Sequence, residues 1–373
     1  MKQIAPGQTI GIIGGGPLGR MLAISAKQMG FRIAVLDPAS GGPTAQVADI
    51  AITASYDDKE AAAQLKDVSD VITYEFENID ATILSWLNEE AYLPQGDKMI
   101  QTTQDRAFEK QAIEQSGAQV VAYECVHSID ELKRAIKWMG LPAIVKTRRF
   151  GYDGKGQVRL NDEADIVEAI PLFNQGPCIV EQFLPFEKEI SVMVVRSTKG
   201  EMMTFPVAEN SHVNHILHQS IVPARISETV QKKAEKIALK LAESLNLVGT
   251  LGVEMFVSKD GALFINEVAP RPHNSAHYTM DACQTSQFEQ HIRAICGWTL
   301  GDGVLHSPVV MVNVLGQHVE SVVNELPAYK QAKLHLYGKA EAKQNRKMGH
   351  VNILGTDTEQ ILQQIDHMDS WRS

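Results

Sequence analysis

Three glycines, Gly14, Gly16 and Gly19, stand between an apolar run at 9–13 and a helical pattern over 17–29. A buried strand that turns sharply into a helix opens a βα unit, and the pattern then repeats. Strands are predicted over 31–36, 49–53 and 71–76, with a helix over 59–66 between the last two. Strands that alternate with helices predict a parallel sheet covered on both faces. Asp37 ends the second predicted strand, near where a ribose-binding acid sits in a nucleotide fold. The loop by itself fits a dinucleotide site, a mononucleotide site or a tight turn equally well. Pro17 also removes one of the amides a phosphate would use.

A second unit is predicted from near residue 103. Ser128 and Glu131 form a capping box that opens a helix, and Gly140 and Pro142 close it. Strands are predicted over 142–147, 157–160, 178–183, 189–196 and 202–207. A helix over 227–245 places Ala234, Ile237, Ala238, Leu241 and Leu245 on one face. Strands over 251–257 and 262–268 flank the turn Lys259-Asp260-Gly261, and short strands return from 308 onward. The 373 residues suggest two or three domains. A net charge of −10 makes a general nucleic-acid binder a poor expectation, while a local basic pocket for an anionic substrate is still compatible. Cys125, Cys178, Cys283 and Cys296 contain no C-x-x-C pair, which argues against a disulfide framework or a zinc site. No apolar run matches a signal peptide or a membrane span, so a cytoplasmic protein without a membrane partner is expected.

Lys146, Arg148 and Arg149 precede a loop of Gly151, Tyr152, Asp153, Gly154, Lys155 and Gly156. Glycines at these positions let backbone approach an anion, and Lys155 adds a mobile positive charge. The alternative is a plain turn with a solvated lysine; a Walker P-loop is excluded by its missing spacing. Glu254 and Glu267 flank the predicted hairpin. A two-residue loop at Asp260-Gly261 makes them face each other, with Cβ atoms about 4.5–5.5 Å apart, where like charges repel. A divalent cation between them reverses that sign, and hard oxygen ligands suit Mg²⁺. A three-residue loop shifts the register by one and breaks the pairing. Arg271, His273 and Asn274 follow closely, and Arg271 is suited to bidentate capture of a small oxyanion. His212, His215 and His218 share one helical spacing, but the segment reads as loop and ordinary polar histidines are favoured.

Several segments occur in order: Gly14-Gly-Gly-Pro-Leu-Gly-Arg-Met-Leu22, Thr73-Tyr-Glu-Phe-Glu-Asn78, Gly151 to Gln157, Glu181-Gln-Phe-Leu184, and Asn266-Glu-Val-Ala-Pro-Arg-Pro-His-Asn-Ser275. With these the chain resembles, over almost its whole length, the 5-(carboxyamino)imidazole ribonucleotide synthase family of ATP-grasp enzymes. The resemblance implies an α/β and α+β chain in three parts. These are a Rossmann-like N-terminal domain (1–105), a two-subdomain ATP-grasp module (106–300) and a small C-terminal β domain (301–373). It implies ATP contacts at Arg106, Lys146, Gly151, Tyr152, Asp153, Gly154, Lys155, Gly156, Gln157, Glu189, His212, Asn266 and Glu267. Glu181, Gln182, Phe183 and Leu184 would form the adenine edge. Glu254 and Glu267 match magnesium ligands, with Mn²⁺ as an alternative. Arg271, His273, Asn274, Lys155 and Asp153 match the reacting centre. Gly16, Leu18, Glu75, Asn78, Tyr152, Lys339 and Arg346 match contacts to 5-aminoimidazole ribonucleotide. Bicarbonate is the implied co-substrate and a homodimer the implied assembly. Pro17 and Ala276 depart from the family pattern.

Three rivals remain at this stage. A formate-dependent glycinamide ribonucleotide transformylase would share the nucleotide apparatus. A nicotinamide dehydrogenase would be built on Gly14 to Gly19. A non-catalytic nucleotide sensor would not need Glu254, Glu267 and Lys155 together.

Overall fold

The computed structural model describes residues 2–151 and 155–371. In the N-terminal part, strands Ile50–Thr53, Arg32–Asp37, Thr9–Ile13 and Val71–Tyr74 lie side by side in that order, all parallel. Every residue of Thr9–Ile13 is buried, as a strand covered on both faces requires. Helix Pro17–Gln28 begins with proline at its first turn, where a missing amide costs nothing. The last strand stops at Tyr74, short of the predicted 76. Glu75 turns inward there, and Phe76 is left on the surface.

The next layer is an antiparallel sheet of Tyr123–Val126, Cys178–Gln182, Ala143–Thr147 and Gln157–Leu160. Helices Ile129–Met139 and Ile166–Phe173 share its apolar core. The predicted capping box forms with a variation. Ser128 Oγ accepts the Glu131 amide at 3.2 Å, but the Glu131 carboxylate takes the amide of His127 at 2.7 Å.

The largest element is a nine-stranded sheet. Leu263–Ala269, Gly249–Ser258, Phe186–Arg196, Ala208–Val213 and Ile216–Val222 continue without a break into Val309–Leu315, Lys347–Leu354 and Ala332–Leu336, and Met202–Thr204 pairs with Phe186–Arg196. The C-terminal strands therefore extend the central sheet instead of closing one of their own. Val309–Leu315 covers the edge of Ile216–Val222, which would otherwise offer unpaired amides. Two of these strands contradict the sequence reading of the 212–218 segment as loop. They form a hairpin about Asn214 and His215, whose φ values of 51° and 64° make the left-handed pair of a two-residue turn. Asparagine at the first position was the overlooked signal.

The N-terminal part is tied to the central one. Helix Gln287–Ile295 places Phe288, Ile292 and Ile295 in the N-terminal core. His291, fully buried between the two parts, meets Thr73 Oγ1 at 2.8 Å and Thr250 Oγ1 at 3.1 Å. Burial pushes this imidazole down to about 3, so it bridges the domains as a neutral ring.

Candidate active site

The hairpin Gly249–Ser258/Leu263–Ala269 sets the centre of the site. Its turn holds three residues, not two. Ser258 and Ala262 close it at 3.0 Å, and Gly261 takes φ +78°. The ladder near the turn accordingly pairs Met255 with Ile265, one residue away from the register expected. A bulge at Asn266 then inserts one extra residue, and beyond it Glu254 faces Glu267. The carboxylates meet as expected, but through a bulge that corrects the turn.

Burial, and then the Glu267 charge, push the Glu254 carboxyl up to about 7. Burial also acts on Glu267, but the Arg106 guanidinium 3.3 Å away and Lys146 together hold that carboxyl below its ordinary value. A half-buried acid whose ionisation is opposed by a facing carboxylate is suited to a divalent cation, which removes that repulsion. Among the described residues no group of three or more acidic, His or Cys side chains is placed to hold a metal by itself. Two facing carboxylates with the remaining positions left to other oxygens fit the way Mg²⁺ is usually held.

Cationic groups surround this pair. Lys146, buried at the end of Ala143–Thr147, lies 2.7 Å from Glu181, and Lys110 lies 2.9 Å from the same carboxylate. Burial opposes ionisation of Glu181, but the two lysines prevail and hold it down at about 2. Lys110 was not singled out from the sequence. Its signal is a position one helical turn after Arg106, on the buried face of Arg106–Gln115. Glu109 on that helix accepts the Val268 amide at 2.7 Å, which fixes the helix against the carboxylate hairpin.

Gly156 packs on Thr147, whose amide donates to Gly156 O at 2.8 Å. Gly156 has φ +72°, and a Cβ there would lie 2.7 Å from Thr147 Oγ1, so only glycine fits. Gln157 begins the next strand opposite Lys146, and Lys155 is exposed. Tyr152, Asp153 and Gly154 lie outside the described residues.

Val121, Ala122, Gln182, Phe183, Leu184, Pro185 and Phe264 line a largely apolar cleft between the two antiparallel sheets. The amides of Gln182 and Phe183 already donate to Ala122 O at 2.9 Å and Pro142 O at 3.1 Å. Those two amides are therefore engaged within the protein. The Glu181 side chain faces the lysines. A smaller cavity is lined by Glu189, Asn210, His212, Glu254, Phe256 and Asn266. Glu189 and His212 form an ion pair; burial disfavours the His212 cation, but Glu189 raises its pKa overall. His215 sits in the turn, and His218 faces Trp371, so the three histidines share no site.

His273 Nε2 lies 3.6 Å from Glu254 Oε1, and its Nδ1 faces Ser275 Oγ at 2.8 Å. Burial, with help from Arg271, pushes His273 down to about 3, so the ring is neutral at pH 7. The Ser275 amide points at Nδ1, which assigns the proton to Nε2, on the carboxylate side. The Asn274 side chain exchanges hydrogen bonds of 3.0 and 2.9 Å with Asn313, tying this loop to the C-terminal sheet.

At the glycine loop, two carboxylates occupy the amides. Gly15 N donates to Asp37 at 2.6 Å and Gly16 N to Glu75 at 2.7 Å. A dinucleotide pyrophosphate would have to displace both, which counts against the dehydrogenase reading. Burial pushes Glu75 up to about 7. Leu18 is packed against the N-terminal core, and Asn78 is exposed. In the C-terminal part, Lys339 Nζ donates to Lys347 O at 2.7 Å and Arg346 Nη1 to Glu341 O at 3.1 Å. Lys347, not singled out from the sequence, is the residue there whose charge acts on His212, Glu254 and His273.

Comparison with known proteins agrees with this geometry. Residues 111–288 match the model of the ATP-grasp domain, 7–104 that of the ribonucleotide synthetase preATP-grasp domain, and 309–364 that of the phosphoribosylaminoimidazole carboxylase C-terminal domain. The chain is 53% identical to N5-carboxyaminoimidazole ribonucleotide synthase of Bacillus subtilis over 98% of its length and 96% of the relative's. It is 45% identical to that of Staphylococcus aureus over 96% and 95%. An ADP complex of an N5-carboxyaminoimidazole ribonucleotide synthetase superposes with TM-score 0.98 at 56% identity, covering 100% of this chain and 98% of that one. The Aspergillus clavatus synthase in complex with ADP and 5-aminoimidazole ribonucleotide superposes with TM-score 0.90 at 30% identity, covering 97% and 98%. The chain belongs to the N5-carboxyaminoimidazole ribonucleotide synthase family of ATP-grasp ligases.

Proposed function

We propose that this enzyme uses ATP and bicarbonate to carboxylate the exocyclic amine of 5-aminoimidazole ribonucleotide in purine biosynthesis, releasing ADP and phosphate. The facing of Glu254 and Glu267 across the bulged hairpin, beside Arg106 and Lys146, carries the assignment. The domain limits that go with it are 1–105, 106–300 and 301–373.

A bicarbonate oxygen attacks the γ-phosphorus of ATP, the bond to the β-bridging oxygen breaks, and carboxyphosphate and ADP form. Carboxyphosphate then yields carbon dioxide and phosphate. The amine nitrogen adds to carbon dioxide and loses a proton, giving the carbamate. Phosphoryl transfer of this kind needs positioning and charge neutralisation more than covalent help. Arg106 and Lys146 supply positive charge at the phosphates, with Gly151 to Gln157 as the cover that keeps water from a labile acyl phosphate. Glu181 to Leu184 hold the adenine, and Glu189 and His212 the ribose side. Glu254 and Glu267, with Asn266, would hold Mg²⁺ or Mn²⁺, which would neutralise phosphate oxygens.

Arg271 and His273 face the bicarbonate-derived oxyanion, His273 as a neutral donor through Nε2; Lys155 and Asp153 belong to the closing loop. Asn274 supports them through Asn313. Gly16, Leu18, Glu75, Asn78, Tyr152, Lys339 and Arg346 bind the ribonucleotide, and Lys347 joins them by its placement. A cytoplasmic homodimer is the proposed setting. The test is ADP formation with each substrate omitted in turn. Dependence on bicarbonate and aminoimidazole ribonucleotide, and indifference to formate, is expected; formate dependence would point to the transformylase instead.

A further inference from the structure

We infer that Glu77 is a positioning residue, which orients the Arg271 guanidinium toward the bicarbonate-derived oxyanion and links that orientation to the segment bearing Glu75 and Asn78. This rests on the role proposed above for Arg271. Arg271 Nε lies 3.0 Å from Glu77 Oε1, and Arg271 Nη1 donates to Pro272 O at 3.2 Å. A guanidinium is planar and carries its donors in a fixed fork. With Nε held on one side and one Nη1 hydrogen on the other, its plane is set. The edge between Nη1 and Nη2 is then the fork that meets a carboxylate or phosphate oxygen pair.

Glu77 comes from the N-terminal domain and Arg271 from the loop after the grasp hairpin, so the pair spans the junction. Its backbone is anchored as well. Gln104 Nε2 donates to Glu77 O at 2.7 Å and to Ile79 O at 2.8 Å, while Gln104 Oε1 accepts from Arg149 Nη2 at 2.9 Å. One glutamine thus joins the segment carrying Glu75, Glu77 and Asn78 to the residues just before the loop proposed to cover the phosphates. Side-chain exposures of 22% and 32% keep the Arg271–Glu77 pair partly wet. As an isolated ion pair it contributes little to stability. Its consequence is geometric, because a guanidinium free to rotate forfeits the orientation that holds a small reacting anion.

The experiment measures steady-state KM for bicarbonate in degassed buffer, KM for ATP, and the melting temperature, in Glu77→Ala, Glu77→Gln and Arg271→Ala. Glu77→Ala is expected to raise the bicarbonate KM about ten-fold, with ATP KM and melting temperature nearly unchanged, the scale on which lost orientation shows. Glu77→Gln keeps an acceptor for Nε and should recover most of that loss. If Arg271→Ala raises the bicarbonate KM and Glu77→Ala does not, the inference about Glu77 is overturned while Arg271 stands. An unchanged bicarbonate KM in Arg271→Ala overturns both. A drop in melting temperature with all KM values shifted alike marks Glu77 as merely structural and also overturns it.

Discussion

Replacing Glu254 by glutamine should cost the enzyme its activity and make it more stable. Burial and the facing Glu267 raise the Glu254 carboxyl from 4.5 to about 7. In the absence of a cation the folded protein therefore retains a proton that the unfolded chain releases between about pH 4.5 and 7. The folded state binds more protons than the unfolded one across that window, so stability falls as pH rises through it and stays low above it. At 1.36 kcal/mol per unit the cost at pH 8 is on the order of 3 kcal/mol, shrinking to below about 1 kcal/mol at pH 5. Glutamine has no charge to bury and escapes this cost. At about 2.1 cal/mol/K of unfolding entropy per residue over 373 residues, the gain corresponds to about 4 °C. The assay is a pair of melts in chelator at pH 8 and pH 5, with turnover measured at pH 8. Turnover should fall at least about 10²-fold, the scale of losing one charge-stabilising group. Added Mg²⁺ and ADP should narrow the melting gap by stabilising only the wild type strongly. A variant that melts at or below the wild type at pH 8, or whose advantage is the same at both pH values, would refute this electrostatic account of the carboxylate pair.

Glu267→Gln should also abolish turnover while the protein stays folded, checked by initial rates beside circular dichroism; near-normal rates would remove Glu267 from the metal site. Lys339→Ala should raise the KM for the ribonucleotide more than that for ATP, and equal changes in both would count against a ribonucleotide contact there. Glu181→Gln leaves Lys110 and Lys146 buried without a counter-charge, so a loss of about 3–5 kcal/mol in urea unfolding is expected. Glu181 itself is held at about 2, so its contribution is complete above pH 4.5 and should fade only as pH falls from there toward 2, measurable as an acid-unfolding midpoint that the Gln variant lacks.

The local elements were largely legible. Thr9–Ile13, Gln157–Leu160 and the helix capped by Ser227 stand where the apolar spacing and capping residues place them, because those signals act over a few neighbouring residues. The 208–222 hairpin was missed because its turn uses histidine where glycine is the usual cue. Lys110 was missed although it stands one helical turn after Arg106, and Lys347 although it follows Arg346, because only the tertiary structure directs Lys110, Glu109 and Lys347 toward the carboxylates.

What the sequence determined alone was therefore the order of strands and helices, the loops that bend toward anions, and which acids and bases were available for chemistry. Tertiary structure decided which of these residues meet. Asn266 restores the facing of Glu254 and Glu267, Asp37 and Glu75 occupy amides that a pyrophosphate would need, and Arg271 finds Glu77 in another domain. Such encounters depend on ladder register and domain closure between residues far apart in the chain, and periodicity carries no information about either.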